Sequence, residues 1–146
     1  MPRLLVVHHT PSPAMQVLLE AVREGAALVE EVELAVRPAL SAGPADLLAA
    51  DGVLLGTPAN IGYMSGALKH FFDTVYYPCL DATVGLPYGV YVHGNDDTAG
   101  ALSSIERITG ALRWKQVAAP LSIVGVPGRD DLEACRELAA TVAVTL

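Results

Sequence analysis

Apolar residues along the chain fall into alternating short runs and longer amphipathic stretches, divided by glycines and prolines. Leu4 to Val7 is too short for a helix and is flanked by turn residues, which predicts a buried strand. Ala14 to Gly25 sets Leu18, Ala21 and Val22 at helical spacing, with Gly25 as the stop. Leu28 to Val36 is β-branched and acidic. It predicts a second strand at a sheet edge, because Glu30, Glu31 and Glu33 are costly where both faces are covered. Ala45 to Ala50 predicts a short helix and Val53 to Gly56 a third strand. Between Ser65 and Tyr77, Leu68, Phe71, Phe72 and Val75 follow the i, i+3, i+4, i+7 spacing of one helix face. Tyr88 to His93 reads as a fourth strand, and Ala99 to Leu112 as a helix turning Leu102, Ile105 and Leu112 inward. A fifth strand lies within Val117 to Val126, and a last helix over Asp130 to Val144 buries Leu132, Cys135, Leu138 and Val142. Strand–helix alternation of this kind predicts the α/β class, a parallel sheet with helices on both faces.

Composition narrows the picture. The chain has 146 residues, 52% of them apolar and 17% charged, which suits one domain over residues 1–146 with a sizeable core. A net charge of -7 with only nine Lys and Arg leaves no basic stripe for nucleic acid. Cys79 and Cys135 have neither metal-ligand spacing nor a disulfide framework. The apolar N-terminal run is too short for a signal peptide, and no run approaches a membrane span. A reduced, cytoplasmic setting is the expectation. At this length a second domain is not expected.

In an open α/β sheet that crevice lies beyond the carboxyl ends of the strands. The residues to inspect are therefore His8–Gln16, Thr57–Gly66 and His93–Gly100, three segments without a Lys or Arg. In the first, Ser12 before Pro13 fits a helix N-cap with proline at the first helical position, and a helix start is also a place for an anion. His8 and His9 point to opposite faces of an extended strand and have no partner at ligand spacing, so no metal site is expected.

The second segment runs Gly56-Thr57-Pro58-Ala59-Asn60-Ile61-Gly62-Tyr63-Met64-Ser65-Gly66-Ala67-Leu68-Lys69-His70-Phe71-Phe72-Asp73. It resembles the loop after the third strand of flavodoxin-like FMN proteins. The match is nearest to the NAD(P)H-dependent FMN reductases and the tryptophan-repressor-binding-type quinone reductases. Its features are Thr57-Pro58, a small glycine-containing loop, and Ser65-Gly66-x-Leu68-Lys69-x-Phe71-x-Asp73 opening a helix. The resemblance implies a flavodoxin-like fold, with a five-stranded parallel sheet in the order 2-1-3-4-5, and FMN as cofactor. It implies a site built from His9, Thr10, Ser12, Ala14 and Met15 in the first loop. To these it adds Thr57, Pro58, Ala59, Asn60, Ile61, Gly62, Tyr63, Met64 and Ser65 in the second, and His93, Gly94, Asn95, Asp96 and Asp97 in the third. Small residues let the backbone approach a flat ring. Tyr63 and Met64 are candidates for a ring face, and Tyr63 is equally a candidate for a surface or dimer contact.

Two departures from that pattern stand out. The third loop lacks the stacking aromatic usual in flavodoxins, which leaves a flavin face open to a donor such as NADPH or NADH. Its Asp97 or Thr98 caps the following helix, and the Asp96–Asp97 pair disfavours added negative charge. The phosphate loop keeps hydroxyls at Thr10 and Ser12 but carries Pro13 where a glycine is usual and Met15 for the last hydroxyl. Each donor lost to a phosphate costs roughly 1.5–3 kcal/mol, so weaker FMN binding than in flavodoxins is expected.

Other doubly wound families are excluded by what their chemistry requires. There is no Gly-x-Gly-x-x-Gly after the first strand and no Gly-x-x-x-x-Gly-Lys-Ser/Thr. Cys79 has Gly85 rather than arginine six residues on, and the acidic residues of a receiver domain are missing. The expected function is NAD(P)H-dependent reduction of FMN or of a quinone-type acceptor, the flavin carrying the chemistry. An electron carrier serving a redox protein is the alternative, and an interaction module without flavin a third. Tyr76, Tyr77, Pro78 and Leu80 suit either a homodimer contact or packing within the monomer.

Overall fold

The computed structural model describes residues 1–146. Its elements run β1 (Arg3–His8), α1 (Pro13–Ala27), β2 (Glu33–Pro38), α2 (Pro44–Leu48), β3 (Gly52–Asn60) and β4 (Tyr63–Met64). They continue with α3 (Gly66–Cys79), β5 (Pro87–Gly94), α4 (Ala99–Leu112), β6 (Lys115–Gln116), β7 (Leu121–Val124) and α5 (Arg129–Val144). Strands β2, β1, β3, β5 and β6 lie side by side in that order and parallel.

The α/β class and the parallel sheet match expectation, but the sheet has seven strands rather than five. Two local events account for the difference. After β3 the chain reverses at Asn60–Tyr63, and β4 returns antiparallel with Ala59 opposite Met64. The last strand is split: β6 pairs with Pro87–Tyr88 of β5, and β7 with Tyr91–Gly94. Pro120, in the gap, has no N–H to continue the ladder.

The second strand also starts later than expected. Residues Leu28–Val32 form the turn out of α1, so Glu30 and Glu31 lie outside the sheet and only Glu33 sits on the exposed edge strand. The helix does not stop at Gly25 because that glycine serves packing. A Cβ there would lie 2.1 Å from the Arg136 carbonyl oxygen of α5.

Alternation along the central strands puts Leu4, Val6 and Leu54 against α1 and α5, with Leu18, Val22, Cys135 and Leu138. Leu5, Val7 and Leu55 face α3 and α4, where Phe71, Phe72 and Trp114 pack. Apolar side chains on both faces are what a doubly covered parallel sheet needs. Burial pushes the Cys79 thiol up and that of Cys135 up to about 12, so both stay protonated and inert at neutral pH. No helix is long and apolar enough to cross a membrane.

Tyr91, in the middle of β5, is fully buried and its hydroxyl has no hydrogen-bond partner. Burial raises its pKa, so the phenol stays neutral. Tyr91→Phe removes that hydroxyl and leaves no other group unpaired. Urea unfolding of this variant is expected to show a gain of about 1 kcal/mol; a loss of that size would show that the hydroxyl is satisfied in solution.

Candidate functional site

Three loops meet beyond the carboxyl ends of β1, β3 and β5. The first is pinned to the sheet by the His9 amide, which donates to the Gly56 carbonyl at 2.9 Å. His8 Nδ1 and Thr10 Oγ1 lie 2.7 Å apart. Burial, then the nearby charge of Arg23, lowers the His8 pKa and favours a neutral ring. Ser12 is the N-cap of α1, extended at φ -140°, its Oγ accepting from the Met15 amide at 3.2 Å, with Pro13 next. Capping therefore uses one of the loop's few donors. Pro11 and Pro13 have no N–H, and the amides of Thr10, Ser12 and Ala14 make no hydrogen bond within the chain.

The second loop is a tight hairpin. Ile61 at φ 50° and Gly62 at φ 70° take the left-handed conformations that a two-residue hairpin demands. Glycine does so freely. A β-branched residue there is strained by about 1–2 kcal/mol, and Ile61 is also wholly exposed. At the hairpin's base Thr57 Oγ1 donates to the Pro58 carbonyl at 2.8 Å and accepts from the Ser65 amide at 3.0 Å. Ser65 in turn caps α3 through the Leu68 amide, 3.2 Å away, and the Met64 amide donates to Ser104 Oγ of α4 at 3.2 Å. At the tip, the Gly62 carbonyl lies against Gly100 in the first turn of α4, where a Cβ would be 2.0 Å from its oxygen.

The third loop leaves β5 after Gly94; His93, next to last in that strand, is buried and its Nε2 donates to the Gly125 carbonyl at 2.7 Å. Asn95, Asp96 and Asp97 are exposed. Asp97 caps α4 by accepting from the Ala99 amide at 2.9 Å. Thr98, the other candidate cap, turns its hydroxyl to Ser122 instead.

Some of the expected site residues are brought together and others are drawn away. Ala14, His93 and Asn95 line one cavity of about 370 Å³, beside Pro13 and Val17 of α1. Its remaining wall, Gly125–Pro127 in the β7–α5 loop, lies outside the three loops that the sequence points to. The crevice rule could have supplied it, since that loop also leaves the carboxyl end of a strand. Met15 and Met64 have buried side chains in the two cores, so of the two ring-face candidates only Tyr63 is exposed. Tyr63 lines a separate recess of about 320 Å³ between α3 and α4, with Tyr76 and Arg107. Lys69 of that recess is ion-paired with Asp73, one turn along its helix. The Tyr76 and Tyr77 rings meet edge to face at 5.1 Å, and Tyr77 is exposed.

No family model matches the chain. It is similar to a flavodoxin of Aquifex aeolicus (strain VF5), 36% identical over 75 residues, which cover 51% of this chain and 40% of that protein. A second relative is an NAD(P)H dehydrogenase (quinone) of Acidithiobacillus ferrooxidans (strain ATCC 53993 / BNL-5-31), 30% identical over 93 residues. That match covers 50% of this chain and 46% of the relative, so the chain spans less than half the length of either. Among solved structures, a flavodoxin from the domain Archaea superposes with a TM-score of 0.84 over 98% of this chain and 97% of its own, at 17% identity. A flavodoxin, WrbA-like protein from Agrobacterium tumefaciens gives 0.78 over 99% and 97%, at 22% identity. The order of strands, the helices on both faces and these superpositions agree: the chain has a flavodoxin-like α/β fold.

Proposed function

We propose that the chain binds FMN across the carboxyl ends of β1, β3 and β5, and that it is an NAD(P)H-dependent reductase of FMN or of a quinone-type acceptor. The observation that carries the reading is the hairpin wall: Gly62 seated on Gly100, with its base locked by Thr57 and Ser65. A rigid wall of small residues suits a flat ring. The donor set fits the cofactor too. The amides of Thr10, Ser12 and Ala14 and the hydroxyls of Thr10 and Ser12 are available to a phosphate, and the amides of Asn95, Asp96 and Asp97 to a ring edge. When bound, FMN would supply the hydride-accepting centre, as flavins do. The chain's own part is to hold and orient it, and to keep negative charge from Asp96 and Asp97 beside it. A cytoplasmic location belongs to the same reading.

A carrier function for a basic redox protein is the second reading, favoured by the net charge of -7 and the exposed acidic pair beside the site. One experiment separates the two. The purified chain is mixed with FMN, its flavin absorption is recorded after desalting, and NADPH or NADH is added with and without a soluble quinone. The reductase reading expects flavin uptake and flavin-dependent oxidation of nucleotide. Uptake without oxidation supports the carrier; no uptake at any flavin concentration rejects both.

A further inference from the structure

His8 closes β1, and alternation with Leu4 and Val6 turns its side chain toward α1. In register it is flanked by Pro38 of β2 and Gly56 of β3, neither of which offers a polar side chain. Tyr91 of β5 leans over Gly56 in the same row, but its hydroxyl reaches no partner. The half-buried ring therefore has one polar contact in the chain, Nδ1 to Thr10 Oγ1 at 2.7 Å.

A hydroxyl has a single proton to give. If Thr10 spends it on Nδ1, the loop presents a bare acceptor oxygen to the crevice. If Nδ1–H donates to Oγ1 instead, the Thr10 proton is free to point outward. In this loop the difference matters, because donors are scarce. Pro11 and Pro13 have no N–H, the His9 amide is held by the Gly56 carbonyl, and the Met15 amide by Ser12. No Lys or Arg lies between His8 and Gln16. Burial, followed by the charges of Arg23 and His9, keeps the ring neutral, so it serves by orienting a hydrogen bond rather than as a counter-charge. A phosphate dianion carries acceptors only, and its arrival favours the arrangement in which Thr10 donates.

We infer that His8 is a positioning residue that selects the phosphorylated flavin: its Nδ1–H donates to Thr10 Oγ1, so that the Thr10 hydroxyl donates outward to the phosphate. His8 itself does not touch the cofactor. The inference rests on the flavin reading above and gives the site a means of preferring FMN to riboflavin, which has the same ring and no phosphate.

The test is titration of the intact chain and its variants with FMN and with riboflavin, followed by quenching of flavin fluorescence at about pH 8, where the phosphate is a dianion. His8→Leu should bind FMN about tenfold more weakly, with riboflavin affinity within about twofold of the parent. His8→Asn, whose side-chain N–H replaces Nδ1–H, should bring FMN affinity back to within about threefold of the parent. In a Thr10→Val background, His8→Leu should cost less than about twofold further, because the hydroxyl through which it acts is gone. Equal losses for FMN and riboflavin in His8→Leu, or a tenfold loss of FMN that persists without the Thr10 hydroxyl, overturn the inference and leave the flavin reading in place. So does His8→Asn binding FMN no better than His8→Leu. Uptake of neither flavin by the parent chain rejects both.

Discussion

Gly56→Ala is expected to be among the most destabilising single changes in the chain. A Cβ at that position would lie 2.1 Å from Tyr91 Cζ and 2.2 Å from its hydroxyl oxygen. Neither side can yield. Gly56 is held in β3 between β1 and β5, and Tyr91 is packed among Leu4, Val6, Met15 and Ile123 with no exposure. Overpacking of a rigid core by this much costs about 3 kcal/mol or more, visible as a shifted midpoint in urea or as loss of folded protein. Tyr91→Phe in the same chain should not rescue it, because Cζ remains. Tyr91→Leu should recover about half of the loss, since the two sites share one volume. A Gly56→Ala chain as stable as the parent would mean that the strand and the ring part more easily than this packing allows.

Gly100→Ala should act on the site rather than on the fold. Inside a helix the change ordinarily gains about 1 kcal/mol. Here the new methyl would press on the Gly62 carbonyl, 2.0 Å away, and push the hairpin off α4. The tip of the hairpin is a surface turn with Ile61 wholly exposed, so it can shift while Met64 at its base stays in the core. Flavin titration is expected to show a loss of FMN affinity of about tenfold or more, with urea stability within about 1 kcal/mol of the parent. If FMN binds unchanged, the hairpin is not a wall of the flavin site.

How much of this was legible in the sequence differs from element to element. Helix α4 follows from its periodicity at both ends, because Leu102 and Ile105 face inward and the turn at Asp97–Thr98 marks the start. Periodicity ends helix α1 at Gly25, two residues early, since a glycine needed for close approach to α5 looks the same in sequence as one that ends a helix. The hairpin was legible as a small-residue loop, but β4 was not: a two-residue strand has no periodicity to read. Ser12 as cap could be anticipated from Pro13, whereas its use of the Met15 amide, and so the shortage of donors at that helix start, needed coordinates. In the sequence His93 stands out only by its place at the end of a strand. Its bond to Gly125 joins segments 32 residues apart, a pairing that no local pattern announces.

The broken last strand has a consequence beyond the count of strands. A sheet that ends in an intact strand offers a continuous row of free amides and carbonyls on which a misfolded neighbour can grow. Here one border is divided into pieces of two and four residues, and the opposite border, β2, finishes at Arg37-Pro38 with a charge and a missing N–H. Neither border is a good template for cross-β growth, so concentrated solutions of this chain should resist amyloid-type aggregation even though more than half of its residues are apolar.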